Sequence, residues 1–119
     1  MEYLLLIYGN EADAAKLSKA DQGAMYQEFG RFTQSIQESK NLVAGRRLED
    51  VATATTVRVR DGKRLVTDGP FAETREQLGG FYMIQAQDLD EALAIAERIP
   101  SARWGSIEVR PVGAVPPPR

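Results

Sequence analysis

Thr67-Asp68-Gly69-Pro70-Phe71-Ala72-Glu73-Thr74 is the stretch on which the reading of this chain turns. An acidic side chain stands directly before a Gly-Pro corner, and an aromatic follows it. Glycine permits positive φ or a close approach; proline fixes φ and removes a donor. The corner therefore ends a strand and holds the Asp68 carboxylate on stiff backbone. Phe71 behind it reads as a wall of the core or of a cavity, with stacking on a ligand as its alternative.

Just upstream, residues 55–59 and 64–67 are β-prone runs around Asp61-Gly62-Lys63. Asp-Gly between such runs predicts a hairpin, because a type I′ turn needs positive φ at both central positions. Further upstream, residues 43–50 read as an irregular strand carrying Arg46 and Arg47. Downstream, residues 71–77 read as a loop or short helical turn. Gly79-Gly80 then precede a strand over 81–86.

The outer parts complete an α+β pattern. The run 3–8 (Tyr-Leu-Leu-Leu-Ile-Tyr) ends at Gly9-Asn10, is too short for a helix, and predicts a strand buried on both faces. Residues 11–17 read as a polar connection. Ser18 is the expected N-cap of a helix whose stripe is Met25, Phe29, Phe32 and Ile36, ending near Lys40-Asn41. Asp88 and Glu91 form an N-cap/N3 pair for a second helix, with Leu89, Ala92, Leu93 and Ala96 as its stripe and Pro100 as its stop. In residues 106–112, Ile107, Val109 and Pro111 alternate with polar positions, which predicts a last strand. The division is one domain over 1–112 and a Pro-rich extended tail over 113–119. The order βαββαβ, with an extra strand near residue 45, is the ferredoxin-like pattern.

Two helices cover only one face of such a sheet. Yet the first strand sets Tyr3, Leu5 and Ile7 against Leu4, Leu6 and Tyr8, all apolar or aromatic, and residues 81–84 are similarly two-sided. A bare apolar face exceeds what monomers usually tolerate, so a homodimer packed sheet to sheet is expected, with a lined space between the layers.

Composition narrows the chemistry. The chain has 119 residues, a net charge of −2, and neither cysteine nor histidine. No disulfide, thiolate or His-based triad is available within one chain, and no cofactor or metal site is expected. The acidic balance disfavours nucleic acid and anionic membranes. A short apolar N-terminal run without a basic flank is not expected to be a signal peptide, and no stretch is long enough to span a bilayer. A cytoplasmic location is the expectation.

Asp68-Gly69-Pro70-Phe71, Glu73-Thr74, the run Glu76-Gln77-Leu78-Gly79-Gly80-Phe81-Tyr82, Asp88-Leu89-Asp90-Glu91-Ala92, Ile99-Pro100 and Ile107-Glu108-Val109-Arg110-Pro111-Val112 resemble the DGPF branch of the YCII-related family. The likeness covers nearly the whole chain, with residues 9–41 matching only in pattern. It implies a ferredoxin-like fold and a dimeric α-β barrel. Relatives in the wider superfamily include lactone-processing and muconolactone-isomerase-like enzymes. The family site implies a His-Asp pair; without histidine, only the carboxylate half carries over, to Asp68. The branch also implies a link to extracytoplasmic-function sigma factors.

The candidate residues each carry two readings. Asp68 is a general base facing a cavity, or it caps its own turn. Glu73 and Glu76 are second carboxylates or solvated loop charges. Arg46 is the best candidate to grip a carboxylate ligand through its guanidinium fork; its alternative, shared with Arg47, Arg58, Arg60, Lys63 and Arg64, is an outward strand position. Tyr8, Tyr82 and Trp104 line a pocket or pack in a core or interface. The leading expectation is a homodimer that binds a small anionic or aromatic metabolite, with Phe71, Tyr8, Tyr82 and Arg46 around it. The alternatives are a proton-transfer enzyme of isomerase or lyase type with Asp68 as base, and a regulatory protein acting with a sigma factor.

Overall fold

The computed structural model describes residues 1–114. Most of the expected Pro-rich tail, residues 115–119, lies outside the described residues. Strand β1 (Glu2–Gly9) leads through a short helix α1 (Glu11–Ala14) into the long helix α2 (Lys19–Glu38). Strand β2 (Leu42–Arg47) follows, then a 3₁₀ turn over Val51–Thr53 and the hairpin β3 (Thr55–Arg60) and β4 (Lys63–Asp68). Strand β5 (Gln77–Gln85), helix α3 (Leu89–Ala96), a second 3₁₀ turn (Pro100–Arg103) and strand β6 (Ser106–Pro111) complete the described chain.

Capping side chains start the helices where the sequence places them. The Ser18 hydroxyl accepts from the Asp21 N–H, and the Asp88 carboxylate accepts from the Glu91 N–H. The Glu91 carboxylate does not reach back to close a capping box; it accepts from the Asn41 side-chain amide and ties α3 to the start of β2. Residues 11–17, expected as a plain connection, contain α1, because the Asn10 side chain caps it by accepting from the Asp13 N–H.

The main sheet is antiparallel throughout, in the order β2-β5-β1-β6. Helices α2 and α3 pack on one of its faces. Tyr3 and Leu5 of β1 and Tyr82 and Ile84 of β5 meet Phe32 and Ile36 of α2 and Ala92, Ile95 and Ala96 of α3 in a single core. In α3 the buried stripe is rotated from the expected one: Ile95 replaces Leu89 and Leu93, which are exposed. Strand β5 also starts four residues earlier than expected. Gly79 and Gly80 do not break it, because β2 lies so close that a Cβ at Gly80 would come within 2.8 Å of the Arg46 carbonyl oxygen.

The expected sheet arrangement requires correction. The strand near residue 45 is not an extra: β2 is an edge strand of the main sheet. The predicted hairpin does form, with Asp61 and Gly62 at φ 52° and 74°, but it stands apart as its own two-stranded sheet. Residues 48–54 carry the chain off the sheet before β3 begins. The dimeric α-β barrel is overturned by the same finding: the four-stranded sheet is open, its edges β2 and β6 are not joined, and β3–β4 does not bridge them.

Candidate functional site

Of the residues singled out above, the end of the sheet where β1 finishes, β5 begins and β2 leaves brings Tyr8 and Arg46 to one face. Strand register decides which face each presents. On β1, Leu4, Leu6 and Tyr8 alternate with the core residues and point away from the helices. Phe81 and Met83 of β5 do the same, paired with Leu6 and Leu4. On β2, Ala44 pairs with Met83 and Arg46 with Phe81, so Arg46 stands at the edge of this same face. On the opposite edge, Arg110, Glu108 and Ser106 pair with Leu4, Leu6 and Tyr8. The uncovered face is therefore an apolar strip framed by charge. The guanidinium of Arg46 is exposed and, among the described residues, donates only to its neighbour's carbonyl, Gly45, at 2.6 Å.

The Asp-Gly-Pro-Phe corner lies at the root of the hairpin. Gly69 takes φ 102°, a conformation that L side chains resist, and its N–H donates to the Ala54 carbonyl at 2.7 Å. The corner then folds back over one face of the hairpin. Thr56 Oγ1 donates to the Gly69 carbonyl at 2.8 Å, and the Arg58 guanidinium donates to the Phe71 carbonyl. Asp68 pairs with Thr55 and sits on the other face, exposed, with no salt bridge among the described residues. Phe71 projects into solvent at 77% exposure.

Beyond the corner, an open cleft of about 230 Å³ is lined by Pro70, Ala72, Glu73 and Thr74 on one side and by Val51 and Gln77 on the other. Sequence reasoning missed the groups that brace it. The Glu11 carboxylate accepts from the Val51 N–H at 3.0 Å, Gln77 Oε1 accepts from the Glu11 N–H at 2.9 Å, and Asn10 donates to the Arg75 carbonyl. The available signal was Asn10 itself, a helix-capping residue straight after Gly9.

The other expected aromatic lies elsewhere. Tyr82 points beneath α2, where its hydroxyl shares a 2.7 Å hydrogen bond with Thr33 Oγ1 and its ring meets Phe32 edge to face. It is thus separated from Tyr8 and Arg46 by the thickness of the sheet. Trp104 is exposed beside Arg103, which also forms a salt bridge with Glu28 of α2. Among the described residues, no group of three or more acidic side chains converges as a metal ion would require. No helix among them is long and apolar enough to cross a membrane.

A model of the YCII-related domain matches residues 1–115 of this chain. The chain belongs to the YCII-related family. A protein of similar length from Rhizobium meliloti (strain 1021), described as uncharacterized protein R00369, is 37% identical over 119 residues, covering 98% of this chain and 96% of that one. The family gives the YCII-related chain its place among known proteins, and the relative's description adds no activity.

Proposed function

We propose that this protein binds a small anionic or aromatic metabolite on its uncovered sheet face, between Tyr8 and Arg46, with a second copy closing the site. The corner at residues 68–71 supports a place in the DGPF branch. One observation carries the functional reading: helices α2 and α3 lie on one side of a sheet whose other side holds Leu4, Leu6, Tyr8, Phe81 and Met83 beside the exposed Arg46 guanidinium. The apolar strip offers a surface for a ring or short chain. The guanidinium offers a planar fork for a carboxylate. Alone, that strip would stay in water, where an Arg-carboxylate pair is weak. A second copy packed on the face removes the water and strengthens the pair.

The test is a thermal-stabilisation screen with small carboxylates and phenols, benzoate first, since it combines both features. At a hundredfold excess over Kd, binding adds about 2.7 kcal/mol, a rise of roughly 10 °C in Tm for a domain of this size. Arg46→Ala should lose the response to carboxylates. No response across the screen, or one that Arg46→Ala leaves intact, counts against the proposal.

A proton-transfer reading is favoured by one further observation: the Asp68 carboxylate is not engaged in capping its own corner, where the hydrogen bond runs backbone to backbone from Gly69 to Ala54. Asp68 would act as base, with Arg46 holding the substrate's developing negative charge.

A further inference from the structure

Among the described residues, nothing supports one face of the β3–β4 hairpin. Val57 pairs with Val66 and Val59 with Arg64, and the three valines share that face at 61%, 53% and 63% exposure for Val57, Val66 and Val59. The other face is the one clasped by the corner at Gly69 and Phe71. A two-stranded hairpin is at best marginally stable by itself in water. An arm with exposed valines on one side is also an open invitation to association. The described chain is extended for its length: its radius of gyration is 16.8 Å, against about 13.5 Å for a compact domain of this length.

We infer that the hairpin is an exchange arm: its valine face lies on a second copy of this chain, over the uncovered face of that copy's sheet. The inference rests on the pairing proposed above and adds to it the part that makes the contact. Two observations select a second copy. First, each chain carries both an uncovered apolar arm and an uncovered apolar sheet face. A two-fold exchange satisfies both at once and closes without further growth. Second, the charges are complementary. Residues 55–68 carry Arg58, Arg60, Lys63 and Arg64 against Asp61 and Asp68, a net +2; the whole chain is −2, so the remaining residues carry −4. A basic arm is attracted to an acidic body as a whole; on the rim of the sheet face Glu108 is accompanied by Arg110 and faced by Arg46, so the valines, not the rim charges, fix the contact. Asp68 shares the valine face at the arm's root, so the exchange also carries that carboxylate toward the partner's site.

The test uses mixing. In the arm variant V57D/V66D both substituted positions are already in water in the single chain, so the fold should persist, which circular dichroism checks. Its self-association, measured by sedimentation velocity, should weaken by about a hundredfold or more, because the contact would bury two carboxylates. The face variant Met83→Glu should likewise fail to pair. Mixed together, the two should form a heterodimer, since the intact arm of the face variant still meets the intact face of the arm variant. A wild-type monomer overturns the pairing itself, including one whose basic arm is instead found to bind a nucleic-acid duplex. A wild-type dimer whose arm variant still pairs as tightly, or a mixture that gives no heterodimer, overturns the exchange arm while leaving the pairing in place.

Discussion

Asp68 and Gly69 divide the labour of the corner between them. Gly69 makes the geometry: at φ 102° it turns the chain so that its N–H meets Ala54 and its carbonyl meets Thr56. Asp68 contributes nothing to that turn through its side chain, so removing its charge should leave the structure intact. Asp68→Asn is expected to keep the fold and the Tm of the wild type. If the protein is a proton-transfer enzyme, the variant should lose nearly all turnover, a drop of about 10²-fold or more. If it is a binding protein, ligand-induced stabilisation should survive. A large fall in Tm would show instead that the carboxylate holds the corner together. At this scale the sequence was informative about residue types and silent about direction. Tyr8 and Tyr82 looked equivalent as pocket aromatics. Strand register sends the first to the open face and the second beneath α2, and Thr33, its hydrogen-bond partner, carries no signal that sequence alone reveals.

Among elements, β2 governs the site because Arg46 rides on it. Its position depends on the close backbone contact with Gly80 of β5. Gly80→Ala would force that contact apart and should cost about 1–3 kcal/mol in chemical denaturation. It should also blunt the response to benzoate, although no residue of the proposed pocket is altered. An unchanged denaturation midpoint would mean that β2 tolerates the shift. The elements themselves were largely legible: Ser18 and Asp88 marked helix starts, and Asp61-Gly62 marked the hairpin, because capping and turn chemistry are local. The assignment of strands to sheets was not. Whether a hairpin joins a sheet or leaves it depends on the path of residues 48–54, which have no periodicity to read. Gly79-Gly80 misled for a related reason: tertiary pairing overrode the local tendency of glycine to interrupt a strand.

For the whole molecule, one physical inequality organises the account: two helices cannot cover a sheet that is apolar on both faces. The alternation along β1 alone shows it. The structure adds the second exposed element, the hairpin, and replaces a closed barrel by an open sheet with an arm beside it. The proposed ligand site and the proposed exchange arm both require a second chain. Sedimentation equilibrium of the wild-type protein at micromolar concentration tests that requirement most directly. A paired chain gives twice the chain mass, the expected result; a single-chain mass, persisting as concentration rises through the micromolar range, would contradict the pairing.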